Sequence, residues 1–334
     1  NVKGLGYAIT ICSLAFAAWY FWGETETHEP LTPPTKDTTK ARGGRITALS
    51  VHGKTLISGD EFGLIRLWTD SPGRIIREWF AHDGPIRQIT KSPQGFMTVG
   101  ADGRVVTWSL NGERLDGRRL PNYRLNDAVA TSDGALIVAA ERGTVARLGE
   151  NRSWTRASIH GRAAFAVALA PQGKHAATVG SDGWVRIWNA LSGEETASWK
   201  VEGAWVTTVF WTPDMLITAG GEGLIKAWAY PGGPGATPQQ TWTGNGGTII
   251  ALDLGQHHIL ASNENSTVHL FERTTGRRLH TWPIAGGPAM AVALGVQRAF
   301  IGDGHGNIIM RHVTNGRLLG TLPAINQRRS IWDD

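Results

Sequence analysis

The chain has 334 residues with a formal net charge of +5, and 41% of them are hydrophobic, enough for a sizeable core, so wholesale disorder is excluded. A single cysteine, Cys12, excludes an internal disulfide, a cysteine-based zinc site and a covalently attached c-type haem. Glycine (43) and tryptophan (15) are abundant, which predicts many tight turns and an aromatic residue that recurs.

The run from Leu5 to Trp22, LGYAITICSLAFAAWYFW, carries no charge. As a helix rising about 1.5 Å per residue it would cover roughly 27 Å, near the hydrocarbon thickness of a thin bilayer. Trp19, Tyr20, Phe21 and Trp22 gather at one end, where membrane spans carry an aromatic belt. Lys3 precedes the run and Glu24, Glu26 and Glu29 follow it, an asymmetry that keeps the N-terminus cytoplasmic and exports the remainder. A cleaved signal peptide, with Ala15-Phe16-Ala17 as its small-x-small site, and a buried hydrophobic helix of the globular body are the competing explanations. Arginine outnumbers lysine 25 to 8, the bias of a GC-rich bacterial genome, so the expected membrane is the bacterial inner membrane and the expected compartment the periplasm. Residues 1–23 are therefore expected to be a single-pass transmembrane anchor. Residues 24–45, with Pro30, Pro33 and Pro34 in a polar, unpatterned stretch, have the composition of a semi-extended tether.

A fixed period organises residues 46–324. One position reads Gly63, Gly103, Gly143, Gly183, Gly223, Ser266 and Gly306, at spacings of 40, 40, 40, 40, 43 and 40. Five residues after each stands Trp68, Trp108, Leu148, Trp188, Trp228, Phe271 or Arg311. The residues between alternate faces as a strand requires, as in Val185-Arg186-Ile187-Trp188. A second strand precedes each glycine, and a second glycine (Gly73, Gly112, Gly193, Gly276, Gly316) opens an outer strand. Eleven residues beyond the Trp position that outer strand is expected to carry Trp79, Ile159, Trp199, Trp282 or Leu322. In the fifth unit Trp242 lies fourteen beyond, because Tyr230, Pro231, Pro234 and Pro238 mark a lengthened loop, either a candidate partner-binding loop or a tolerated Gly/Pro-rich excursion. Four strands per about forty residues, seven times, predict an all-β, seven-bladed β-propeller of four-stranded antiparallel blades. Residues 325–334 form a tail outside the repeat.

The string Val179-Gly180-Ser181-Asp182-Gly183-Trp184-Val185-Arg186-Ile187-Trp188 resembles the WD-repeat pattern. Ser92-Pro93-Gln94-Gly95 and Ala170-Pro171-Gln172-Gly173 are similar to its turn between first and second strands. That resemblance implies a hydrogen-bonded tetrad of His, Ser or Thr, Asp and Trp inside a blade. Two units match it fully: His82, Thr98, Asp102 and Trp108, then His160, Thr178, Asp182 and Trp188. Leu148, Phe271 and Arg311 replace the Trp elsewhere. WD-repeat propellers usually close by placing an N-terminal strand in the last blade. Here the seventh unit supplies its own outer strand, so closure is expected from face packing between the first and last blades.

Chemistry-bearing motifs are few. No Gly-x-Ser-x-Gly elbow, His-Glu-x-x-His helix or Gly-Lys-Ser/Thr phosphate loop occurs. His257, His258, His269, His280, His305 and His312 cluster late in the chain, and some seven-bladed propellers ring a copper cluster with histidines. The corresponding positions of earlier units are not His, so a scattered surface and turn origin is expected rather than a metal site. His82 and His160 have no nucleophile beside them and fit a buried structural network better than a catalytic pair. No catalytic residue, cofactor or metal is expected. Arginines at the start of outer strands read as edge-strand protection, and an exported domain would meet no nucleic acid. No small-molecule substrate is expected.

The expectation is a non-catalytic scaffold or accessory subunit. Its partners would be the lipid bilayer and an integral-membrane complex, held by the anchor and one propeller face, with an energy-transducing electron-transfer complex as a fold-level analogy. A periplasmic assembly factor, or an enzyme using the propeller axis as its pocket, are the alternatives.

Overall fold

The first strand of each unit mixes buried and half-exposed positions, while the second strand is buried along nearly its whole length, and in Leu136–Ala140, LIVAA, it is apolar throughout. A strand covered on both faces needs such a run. The computed structural model describes residues 44–323 apart from 70–72, 150–152, 157, 202–204, 231–234 and 245. The expected anchor with Leu5, Trp19, Tyr20 and Trp22, nearly all of the tether, and the tail lie outside the described residues. Among the described residues no helix is long and apolar enough to cross a membrane.

The strands form seven four-stranded antiparallel sheets, each built from four consecutive strands in sequence order. The blades span residues 46–80, 86–119, 125–156, 164–200, 206–243, 249–283 and 291–322. Each first strand packs beside the first strand of the next blade, and Ile46–His52 packs beside Ala291–Leu294, which closes the ring around an axis. The fold is an all-β seven-bladed propeller.

The repeating glycines sit at the turn between second and third strands. Gly63 has φ of +85°, and a Cβ there would collide with the His82 carbonyl oxygen, so both conformation and space demand glycine. In the sixth unit Ser266 adopts the same left-handed conformation, at φ +56°.

Blade 7 has its own outer strand, Leu318–Leu322, and among the described residues no strand from the N-terminal side joins it. Closure rests on a shared apolar layer: Ile46, Leu49, Leu56 and Trp68 of blade 1 against Ala293, Phe300, Ile308 and Leu322 of blade 7. Gly302 lets the sheets approach, since a Cβ on it would lie 2.6 Å from that of Ile46.

Large rings join blades 1 and 2, 3 and 4, and 4 and 5. Outer-strand Trp79 lies 5.1 Å from Trp108 of the next blade, and Trp199 lies 5.9 Å from Trp228. Blade 3 departs from the eleven-residue offset. Its outer strand is Trp154–Arg156, and Ile159 falls in the turn beyond it. The cause is a shorter turn: Arg147 pairs with Trp154, seven residues on, whereas Ile187 pairs with Ala197, ten on. Trp154 takes the bridging place instead, 6.4 Å from Trp188.

Candidate interaction surface

Antiparallel pairing puts the second-to-third turns and the inter-blade connections on one end, the upper face. The first-to-second and third-to-outer turns lie on the lower face.

The two full tetrads occupy the upper part of blades 2 and 4. Trp108 Nε1 donates to Thr98 Oγ1 at 2.9 Å, Thr98 Oγ1 lies 2.8 Å from His82 Nε2, and His82 Nδ1 lies 3.0 Å from Asp102 Oδ1. Blade 4 repeats this with Trp188, Thr178, His160 and Asp182 at 2.7, 2.7 and 3.0 Å. The chain of donors is consistent when the imidazole is neutral, with Nδ1 protonated toward the carboxylate and Nε2 accepting from threonine. Burial holds His160 below its usual range, against the opposing pull of Asp182. Burial alone would raise the Asp182 carboxyl, but the hydrogen bond from His160 leads the effects that bring it below the ordinary carboxylate range. Asp102 and Asp182 also accept from the turn N–H groups of Arg104 and Trp184. The most recognisable histidines and aspartates are thus committed to holding blades together.

Other blades keep fragments of the network. Trp68 Nε1 donates to Ser58 Oγ at 2.8 Å and Trp228 Nε1 to Thr218 Oγ1 at 2.8 Å, without a histidine. In blades 1 and 7 the turn is capped by an earlier aspartate: Asp60 accepts from Phe62 and Leu64, and Asp303 from His305 and Asn307. A buried cation often fills the third strand three residues after the turn position, as Arg66 near Asp60 and Glu78, or Lys226 at 2.8 Å from Glu222. These substitutes escape a search for the full tetrad. A hydroxyl ten residues before each Trp is the signal that would have found Ser58 and Thr218.

The late histidines do not converge. His305 sits in an exposed upper turn, His257 in a lower turn with His258 opening the strand after it, and His280 stacks on Trp282 at 5.5 Å. His269 corrects the expectation of a surface or turn origin. It is fully buried, with Nδ1 3.0 Å from Thr281 Oγ1 and Nε2 3.1 Å from Thr267 Oγ1. Burial pushes its imidazole down to about 4. Among the described residues no three His, Cys, Asp or Glu side chains are grouped to hold a metal.

On the axis, a cavity of about 300 Å³ is lined by Gln88, Lys91, Asp127, Val167, Thr208 and Trp211 of four successive inner strands. Asp127 is buried there, and its Oδ2 accepts from the Val167 N–H of the next blade at 3.0 Å. Asp253 makes the same cross-blade bond to Leu294 N–H at 2.7 Å. Both carboxyls clamp neighbouring inner strands, and sequence patterning gave no sign of either.

The lengthened fifth-unit loop begins on the lower face. Tyr230 is 38% exposed, and its ring lies 4.7 Å from Trp211 and 5.9 Å from His175, edge-on to the former. Ala236 folds back onto the core between blades 4 and 5, and Pro238 is exposed. Pro231 and Pro234 lie outside the described residues. Trp211 also lines the axial cavity, so this aromatic corner borders its lower mouth.

Comparison with known proteins bears on this architecture. The family model described as "WD domain, G-beta repeat" matches residues 156–189, the stretch that carries the blade 4 tetrad. A "p21-activated protein kinase-interacting protein 1-like" of Danio rerio is 26% identical over 202 residues, covering 55% of this chain and 52% of that protein. A "WD repeat-containing protein 90" of Mus musculus is 27% identical over 188 residues, covering 50% of this chain and 10% of that protein. The chain thus spans about half the length of the first relative and a tenth of the second. The solved structure of the computationally designed Ika8 protein superposes with a TM-score of 0.61 at 15% identity, over 81% of this chain and 96% of that one, a likeness of fold alone. Fold, tetrads and repeat match together support a WD-repeat β-propeller.

Proposed function

We propose that the protein is a non-catalytic scaffold that docks other proteins on the lower face of its propeller. One observation carries the reading. The histidines and aspartates that chemistry would use are spent inside the blades, while Tyr230 and Trp211 stand half-exposed beside the one insertion that breaks the repeat. A rigid ring presenting a variable loop and aromatic side chains suits protein recognition. WD-repeat propellers are typically interaction scaffolds of this kind.

The finer part of the reading rests on sequence. The uncharged run from Leu5 to Trp22, with Lys3 before it and glutamates after it, supports a single-pass tether and a periplasmic propeller. On that reading the partner is an integral-membrane complex of a bacterial inner membrane, with an electron-transfer complex as the host class.

Purification of the full chain in mild detergent, followed by mass spectrometry, tests both parts. A stoichiometric integral-membrane partner is expected. A chain that elutes alone contradicts the scaffold reading, and release from membranes by alkaline carbonate contradicts the tether. A sub-stoichiometric set of client proteins would favour the assembly-factor alternative. The axial cavity is the foothold of the enzyme alternative, which predicts stoichiometric metal or turnover in the purified protein.

A further inference from the structure

Charge on the lower face is divided by sector. Blades 6, 7 and 1 present Arg277, Arg278, Arg298, Arg317, Lys54 and Arg74 from their lower turns and adjoining strand starts. Among the described residues of these turns the acidic side chain is Glu272, which lies 3.7 Å from Arg277. The nearby Asp253, on the inner strand of blade 6, accepts from the Leu254 and Leu294 N–H groups and is a second acidic group of this sector. Across the axis the balance reverses. Blades 3 to 5 present Asp133, Glu194, Glu195 and Asp214, with Arg147 tied to Asp133, Arg186 3.5 Å from Glu195, and Lys174 as the remaining lower-turn base among the described residues. Edge protection does not require this partition, because edge strands occur in all seven blades.

An apolar anchor sits inside the basic arc. Val296, at the tip of the blade 7 lower turn, is 96% exposed, more than any other large hydrophobic described. Arg298 follows it and opens the next strand, and an apolar side chain that shares a sector with cations is complementary to an apolar residue flanked by carboxylates.

We propose that the lower arc of blades 6, 7 and 1 docks an acidic segment of a partner protein, with an apolar residue of that segment on Val296 and its carboxylates on Arg277, Arg278 and Arg317. This inference rests on the scaffold reading and names the partner's chemistry. A flat anionic bilayer fits less well. It would cover the whole lower face and bring Glu194, Glu195 and Asp214 against its own charge. A protein segment can lie on one sector only.

The test uses the full chain in detergent and a fluorescein-labelled peptide of repeated Glu-Glu-Leu, read by anisotropy at roughly 0.15 M salt. Binding is expected to weaken about tenfold or more in the triple variant Arg277→Glu, Arg278→Glu, Arg317→Glu, and to weaken in Val296→Asp. The upper-face triple variant Arg119→Glu, Arg124→Glu, Arg162→Glu makes the same charge change and should bind as wild type. Melting temperatures of the lower-face variants should stay within about 2 °C. Equal loss in both triple variants, or none in either, overturns the proposal. So does binding to phosphatidylglycerol vesicles that the lower-face triple variant abolishes while the peptide binds neither protein. If the peptide fails but a stoichiometric protein still co-purifies with the lower-face triple variant, this inference falls and the scaffold reading stands. If no protein partner co-purifies with wild type, the scaffold reading itself falls.

Discussion

The guanidinium of Arg311 lies 5.6 Å from the ring centroid of Trp282, the outer-strand tryptophan of the preceding blade. Arg311 occupies the place where blades 1, 2, 4 and 5 carry a tryptophan, and it meets the same neighbour that a tryptophan there would meet. The Trp79–Trp108 and Trp199–Trp228 pairs are the intact version of this joint. A planar cation on an aromatic face keeps the blade 6–7 seam packed, and Nη1 also donates to the Gly316 carbonyl at 3.2 Å.

Arg311→Ala should therefore destabilise the propeller by about 1–2 kcal/mol, through lost stacking and lost packing of the stem. Arg311→Lys should recover only part of it, because an ammonium lacks the planar face. Urea unfolding of both variants beside wild type checks the order. Equal stability of the alanine variant would show that the seam does not depend on this pair.

Ring closure is tested at the blade 7–1 layer. Leu322→Ala removes a buried side chain from the apolar layer that joins the two blades and should cost about 2–5 kcal/mol. Gly302→Val, forced against Ile46, should be at least as damaging. Thermal unfolding is the readout. A tolerated valine would mean that the two blades can separate without penalty.

Asp127 and His269 should shift stability with pH in opposite senses. Burial pushes the Asp127 carboxyl up to about 7, against the pull of the Val167 and Ala128 N–H groups and of Gln88. The folded state then holds a proton that the unfolded chain releases near 3.8, so the contribution is full below that value and is lost as pH rises through 7. Relative to Asp127→Asn, wild type should lose up to about 1.4 kcal/mol per pH unit within that window.

For His269 the sign is reversed. Its imidazole is held down to about 4, first by burial and then by Arg278, against 6.5 in the unfolded chain. Its contribution is full above 6.5 and is lost as pH falls toward 4. His269→Gln should flatten the acid limb of a stability-versus-pH curve. An unchanged acid limb would place the protonation elsewhere.

The sequence revealed those features that repeat within one unit. Gly63 and its equivalents, the Trp positions and the two full tetrads recur at fixed offsets, so spacing exposes them. Features that join units were hidden. The Arg311–Trp282 stack depends on how successive sheets face each other, and nothing near either residue in sequence marks it. Asp127 and Asp253 were missed for the same reason: each hydrogen-bonds an N–H about forty residues away in the next blade. Ile159 was misplaced because a constant offset presumes a constant turn, and blade 3 has a shorter one. The basic arc emerges only when turns from blades 6, 7 and 1 are gathered on one face.

The most direct measurement is co-purification with the full-length double variant Trp211→Ala, Tyr230→Ala, beside wild type in mild detergent. Both side chains are partly exposed at the lower corner, so the variant should remain folded by circular dichroism. The account predicts a stoichiometric partner protein with wild type, and its loss or a severalfold reduction with the variant. A wild-type chain that purifies alone, or a partner held equally by both proteins, would contradict it.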